Sequence, residues 1–165
     1  MPLPGRHGRY RCGVSRRKRL TPAGPEPSPS GGPVSFQGFS QAPGHSVPES
    51  GLYEFWTADN VLIHMGETRC SRISFEPSPS QIEMTFVYEA PELAPAQLPQ
   101  GASIRLLFRR VAMLRWEGDH TGPDPDDVPG GQITDLRFDH PNYVRLDLLS
   151  SHLQFTAQSV ELTIT

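Results

Sequence analysis

The sequence is poor in cysteine, in lysine and in long apolar runs, and each shortage excludes a class of protein. Its two cysteines, Cys12 and Cys70, are too few and too far apart for a disulfide framework or for a zinc site with paired ligands. No apolar stretch approaches the roughly 18 residues of a membrane span, and none near the N-terminus has the character of a signal peptide. We therefore expect a cytoplasmic protein that does not bind membranes. Lys18 is the single lysine among the 15 basic residues, a bias typical of a GC-rich bacterial genome.

Proline and glycine are concentrated in the first 50 residues, which hold nine of the 18 prolines and eight of the 15 glycines. A segment of this composition has too few apolar side chains to offset the entropy lost on ordering. We therefore predict that residues 1–50 form a disordered basic tail and that residues 51–165 form one all-β domain. The tail has seven basic and two acidic residues, whereas the domain has eight arginines and 16 acids, which gives net charges of +5 and −8.

Apolar residues alternate with polar ones through much of the domain, as at Ile82, Met84, Phe86 and Tyr88. A period of two places alternate side chains on opposite faces of a strand, which indicates half-buried antiparallel strands rather than helices. The same pattern recurs at 104–108, 144–148 and 160–164. With shorter apolar stretches included there are about eight or nine strands, separated by proline and glycine turns. The predicted fold is an antiparallel β-sandwich or a small open barrel.

Two segments of the domain leave alternatives open. The alternation within residues 103–116 changes phase at Arg109 and Arg110, which indicates a bulge, a tight turn or one long bent strand. Residues 57–64 form either a strand or a single helical turn, because the segment contains two plausible N-cap residues.

Four aspartates are concentrated in the loop 118–131, namely Asp119, Asp124, Asp126 and Asp127. Carboxylates on a loop are what Ca²⁺ requires, but the spacing lacks the alternating acids and the distal glutamate of a calcium loop, and three prolines stiffen the chain. We interpret the loop as a stiff acidic segment that binds a basic protein partner. Its charges should act mainly on the association rate, which would fall with added salt.

One cysteine and four histidines of the domain could contribute to a nucleophilic site. They are His64, Cys70, His120, His140 and His152. None of them lies in a local catalytic signature, and separation along the chain alone does not define a site. We predict that Cys70 is a small buried core residue. We assign no catalytic residue, no metal ligand and no cofactor.

A short run of basic residues lies in the tail, from Arg16 to Arg19. Its charge suits phosphates or an anionic surface. The run lacks interleaved aromatic residues and the domain that follows it is acidic, so we do not expect nucleic acid to be the main partner.

Five stretches of the domain, taken in order, carry a family resemblance. They are IHMGETRCSRISF, QIEMTFVY, ASIRLLFRRVAMLRW, GQITDLRF and FTAQSVELTIT. The series resembles small β-domain immunity proteins of bacterial polymorphic toxin systems and their uncharacterised relatives, with IRLLFRRV the best match. The resemblance implies a protein that binds a cognate toxin domain inside the producing cell and blocks it without catalysis.

The sequence therefore predicts a non-catalytic cytosolic binding module, with an immunity protein as its most specific form. The alternatives are a small-molecule or metal-binding β-barrel and a degenerate enzyme.

We expect Phe86, Leu106, Phe108, Leu146 and Leu162 to form the centre of the core, because each lies inside an alternating run. Replacing Phe108 by alanine should lower the free energy of unfolding by about 3 to 5 kcal/mol, since a cavity replaces a buried ring. Urea unfolding of the variant and the wild type measures this difference. A loss below about 1 kcal/mol would place that face of the strand in solvent.

Overall fold

A computed structural model of the protein describes residues 32–47, 51–118, 131–140, 142–149 and 151–165. These residues form eleven strands: β1 Ser35–Gln37, β2 Glu54–Trp56, β3 Leu62–His64, β4 Thr68–Glu76, β5 Gln81–Tyr88, β6 Ser103–Arg109, β7 Ala112–Gly118, β8 Ile133–His140, β9 Tyr143–Leu148, β10 Ser151–Thr156 and β11 Ser159–Ile164. Two short 3-10 helices span Met65–Glu67 and Pro91–Leu93. The fold is all-β, as predicted. Within the described ranges no helix is long and apolar enough to cross a membrane.

The strands form two main sheets and a hairpin. The first sheet has five strands in the order β1-β11-β6-β5-β4, the second has four in the order β7-β10-β9-β8, and β2 pairs with β3. Neighbouring strands are antiparallel except for β1 and β11, which are parallel. Eleven strands are described, rather than eight or nine, because β1 lies in the segment assigned to the tail and residues 103–116 form two strands, β6 and β7.

The core lies between the two main sheets and is built from the alternating apolar residues. Phe86, Leu106, Phe108 and Leu146 are fully buried and Leu162 is nearly so, which confirms the predicted centre of the core. The ring of Phe108 on β6 meets that of Phe155 on β10 edge to face, with centroids 5.0 Å apart. Edge-to-face contact of this kind adds to the stabilisation from burial. The apolar faces of the two sheets are therefore in direct contact.

The phase change at Arg109 and Arg110 is a tight turn between the two sheets. Strand β6 ends at Arg109 in the five-stranded sheet, and β7 begins at Ala112 in the four-stranded sheet. Arg110 adopts a positive φ of 52°, which a non-glycine residue rarely does outside turns. The backbone N–H of Val111 donates to the carbonyl of Ser80 at 3.0 Å and holds the turn against the start of β5.

The segment 57–64 contains a strand and a turn, and the helical alternative is wrong. Residues of β3 pair antiparallel with β2, with Phe55 opposite Ile63. The N–H of Asn60 donates to the carbonyl of Thr57, and the N–H of Val61 donates to the Thr57 hydroxyl. Thr57 therefore closes the hairpin turn instead of starting a helix.

The boundary predicted at residue 50 is wrong, because residues 34–47 belong to the fold. Val34, Phe39 and Val47 are buried, and β1 pairs with β11. The strand partner of β1 lies more than 100 positions away, so no local alternation marks this strand. Gly38 has a φ of +83°, and a Cβ there would collide with the Leu162 carbonyl oxygen, so this glycine permits a close approach. The remainder of the predicted tail, residues 1–31 and 48–50, lies outside the described residues.

A chain starting at Gly32 should unfold at higher urea concentration than one starting at Ser46. The shorter chain lacks Phe36 and Phe39, whose rings lie 5.6 Å apart, with Phe36 also 5.5 Å from Phe138. Loss of two packed rings should lower the free energy of unfolding by at least about 3 kcal/mol. Urea titrations followed by tryptophan fluorescence compare the two chains directly. Equal midpoints and slopes would show that the N-terminal strand contributes nothing to stability.

Candidate functional site

The outward side of the four-stranded sheet carries charged side chains that are aligned across its strands. Alternate residues of each strand point away from the core and form a surface that we call the polar face. It consists of Arg115, Glu117, Asp135, Arg137, Asp139, Arg145, Asp147, His152 and Gln154. Its inward counterparts, including Leu146 and Phe155, are buried. The alternation that builds the core therefore also builds this face.

Arginines line up across the strands of the polar face. Arg115 on β7 lies opposite Gln154 on β10, Gln154 lies opposite Arg145 on β9, and Arg145 lies opposite Arg137 on β8. Three guanidinium groups thus share one row, and two of them are direct cross-strand neighbours. We call this set the arginine row.

A second row, mostly of acids, runs parallel to the first. Glu117 lies opposite His152, His152 opposite Asp147, and Asp147 opposite Asp135. The two rows are two residues apart along each strand, which is a separation of about 7 Å. We call this set the acid row.

Each arginine of the polar face pairs with an acid on its own strand. Arg145 Nε donates to Asp147 Oδ2 at 2.8 Å, and Arg137 Nε lies 3.2 Å from Asp135 and 2.9 Å from Asp139. Arg115 pairs with Glu117 in the same way. Side chains two residues apart on a strand share a face, so this pairing needs no neighbouring strand. The face is consequently close to charge balance.

Asp147 is the centre of the polar face, because both of its carboxylate oxygens are engaged. Oδ2 accepts from Arg145, and Oδ1 accepts from His152 Nδ1. The side chains of Asp147 and His152 are 20% and 23% exposed, compared with 56% for Arg115 and Glu117 at the edge. The carboxylate fixes the orientation of the imidazole ring and leaves Nε2 for a further contact.

In a nucleophilic triad a carboxylate orients a histidine in this way. The third member would be a hydroxyl or thiol hydrogen-bonded to Nε2, and no described residue supplies one to His152. In the described residues the pair therefore orients a hydrogen-bonding nitrogen at the surface. There is also no group of three or more His, Cys, Asp or Glu side chains in these residues that could hold a metal ion.

Of the other Cys and His candidates from the sequence, His64 and Cys70 lie outside the sheet that carries His152. His64 lies on the β2-β3 hairpin, where its Nδ1 is 3.1 Å from Glu54. Cys70 lies on β4, the edge strand of the five-stranded sheet, and is fully buried, as predicted. His120 lies outside the described residues, and the structure gives His140 a position in β8.

The four aspartates predicted to bind a partner, Asp119, Asp124, Asp126 and Asp127, all lie outside the described residues. The loop that contains them connects β7 to β8. Glu117 of β7 comes two residues before Asp119 in the sequence, so the loop leaves the sheet from the strand end at which the acid row lies.

Sequence reasoning missed the polar face, although a signal for it is present. Arginine is followed two residues later by an acid at Arg115, Arg137 and Arg145, in the stretches RWE, RFD and RLD. Each stretch lies in an alternating strand pattern, so arginine and acid must share the polar side. What the sequence does not give is the register, which aligns the three stretches across the sheet.

Comparisons of this chain with protein-family models, with curated proteins and with solved structures give no match. The function must therefore be inferred from the residues and their geometry.

Burial should make the Cys70 thiol inert in the folded protein. Desolvation raises its pKa to about 12 from 9.0, and the backbone hydrogen bond to Arg72 offsets this only in part. In a Cys12→Ser variant, a thiol-specific reagent should label nothing at neutral pH until urea unfolds the chain, after which one thiol reacts.

The same burial makes the free energy of unfolding depend on pH in the alkaline range. The unfolded thiol releases its proton near pH 9 and the folded thiol near pH 12, so the unfolded state is favoured as pH rises between these values. The free energy of unfolding should fall over this range, and it should fall less in a Cys70→Ala variant.

Rapid labelling of the folded Cys12→Ser variant would contradict the assignment of Cys70 to the core.

Proposed function

We propose that this protein is a non-catalytic binding module that recognises a partner protein through its polar face. The observation that carries the proposal is the placement of like charges directly opposite each other on neighbouring strands. Arg137 lies opposite Arg145, and Asp135 lies opposite Asp147. Like charges in such positions destabilise strand pairing. An arrangement that costs stability is expected where the side chains serve another purpose.

The outer face of the five-stranded sheet shows the contrasting arrangement. There Arg105 pairs with Glu83 on the neighbouring strand, and Arg109 pairs with Glu161 on the other neighbour at 2.9 Å. These pairs join strands, and they surround Leu107, which is 8% exposed. Opposite charges across strands stabilise a sheet. This face therefore has a structural explanation that the polar face lacks.

The partner that fits the polar face is a protein with two complementary rows of charge. Such rows fix orientation and register and exclude partners with the wrong pattern, which makes electrostatic complementarity a source of specificity more than of affinity. Overall attraction comes from the net charge of −8 over residues 51–165, which favours a basic partner. An immunity protein that occludes a basic toxin domain is the form of this function that the sequence resemblance implies.

Replacing Asp135 and Arg137 together by threonine should separate binding from stability. The double variant removes both like-charge contacts with β9, so the free energy of unfolding should stay equal or rise by up to about 1 kcal/mol. Capture of a basic partner from a lysate of the native organism should be lost, because both rows are interrupted. Urea unfolding and quantitative pull-down measure the two effects.

The matched control replaces Arg109 and Glu161 by threonine on the opposite sheet. This pair joins two strands and has similar exposure, so its loss should lower stability and leave capture unchanged. Once a partner is identified, surface plasmon resonance at two ionic strengths tests whether the Asp124, Asp126 and Asp127 charges steer association. Capture that survives in the Asp135 and Arg137 variant, or is lost equally in the control, would refute the assignment of the polar face.

A further inference from the structure

One ring nitrogen of His152 has a partner, and the other has none among the described residues. Nδ1 is hydrogen-bonded to Asp147 Oδ1, and no described residue bonds to Nε2. Nε2 is also not one of the described polar atoms that are buried without a partner. The His152 side chain is 23% exposed, so in the part of the chain that the structure describes Nε2 faces solvent.

Asp147 decides which nitrogen of His152 carries the proton. An ionised carboxylate accepts hydrogen bonds and donates none, and Asp147 already accepts from Arg145 Nε at 2.8 Å. Nδ1 must therefore be the donor in its contact with Asp147. In the neutral ring the proton is then on Nδ1, and Nε2 presents a lone pair that accepts a hydrogen bond.

His152 lies in the acid row between two carboxylates. Glu117 of β7 is directly opposite on one side, and Asp147 of β9 is directly opposite on the other. Arg115 and Arg145 lie one row away, and each is paired with the acid of its own strand. An acceptor nitrogen beside a carboxylate suits a cationic N–H donor. The ammonium of lysine fits this position, because it has three N–H groups to share between the two acceptors.

The imidazole is the group at this position whose charge changes near neutral pH. The other charged side chains that face or flank it come from β7, β9 and β8, and they are Glu117, Arg115, Asp147, Arg145 and Asp135. Carboxylates and guanidinium groups ordinarily keep their charge between about pH 6 and 8, whereas imidazole ordinarily gains one as pH falls through this range. Protonation of His152 turns Nε2 into a donor and adds a positive charge. Both changes oppose a cationic donor.

We propose that His152 Nε2 is the acceptor by which the polar face binds a lysine ammonium of its basic partner, and that protonation of the ring releases this contact. The inference rests on the proposed function and names the partner group that the site takes. Asp147 is a positioning residue, because it holds the proton on Nδ1 and directs Nε2 outward. Binding is therefore tighter near neutral pH than in mild acid.

The protonation of the ring and its response to an ammonium group can be tested without the partner. Two-bond ¹H–¹⁵N correlation spectra of the full chain at about pH 7.5 should show His152 Nδ1 as the protonated nitrogen and Nε2 as the bare one. Added Nα-acetyl-lysine amide should move the Nε2 signal. Nα-acetyl-norleucine amide, which has an apolar side chain in place of the ammonium, should not. In an Asp147→Ala variant part of the proton should move to Nε2.

Two variants test whether pH acts through His152. The dissociation constant of Nα-acetyl-lysine amide, followed by the backbone amide signals of β10, should rise about tenfold or more between about pH 7.5 and pH 5.5. The rise should vanish in a His152→Gln variant, whose amide does not titrate, and persist in a His64→Gln variant. His64 is a matched control, because it also pairs with an acid, Glu54, but lies on the β2-β3 hairpin. The same backbone spectra show that each variant is folded.

A protonated Nε2 at neutral pH would overturn the inference. So would an Nε2 signal that does not respond to the lysine compound, a response shared by the norleucine compound, or a pH effect that persists in the His152→Gln variant. Capture that survives in the Asp135 and Arg137 variant would instead refute the proposed function. Because the spectra of His152 need no captured partner, the two failures give different results.

Discussion

The contact between the apolar sides of the two sheets is the constraint from which the other features follow. Phe108 and Phe155 meet across this contact, and the strands that carry them alternate buried and half-exposed residues over most of their length, with Leu107 as the buried exception in β6. A slip of one residue in any of these strands would turn its apolar side chains toward solvent. Core burial thus fixes the register, and the register in turn decides which charged residues become neighbours on the outside.

Much of the fold can be predicted from local alternation, and the parts that cannot are those that depend on distant partners. Ile82, Met84 and Phe86 are buried, and their spacing of two residues is the pattern expected of a strand with one side in the core. Strand β1 shows none, because its three residues are ordered by β11 and by packing of Phe39 against Phe55 at 5.0 Å. The apolar residues of this segment are few, and they are spaced for contacts with other strands. They therefore show no alternation, and the segment reads as a tail.

The same distinction applies to the candidate site: some of its contacts follow from local sequence, and others depend on how distant strands pair. The pairing of Arg145 with Asp147 follows from their spacing alone, since residues two apart on a strand share a side. The placement of Arg145 beside Arg137 depends on how β8 pairs with β9, including the irregularities of that register. No local pattern contains this information. The loop aspartates stand out in the sequence because they are clustered, whereas the polar face is dispersed over about 40 residues and becomes a surface only when the sheet forms.

The ion pairs of the polar face and the unpaired acids elsewhere on the domain act over different distances. Asp147 is bonded to both Arg145 and His152, so its charge is largely compensated and contributes little to the field at a distance. Glu67, Glu89 and Glu92 form no ion pair with another described residue, and charges of this kind extend over a Debye length of about 8 to 10 Å at physiological salt. In the function that we propose, uncompensated acids govern the approach of a basic partner. The compensated rows then act only in contact, where such a partner must replace each existing ion pair with one at least as good, and this requirement would make recognition by the face selective.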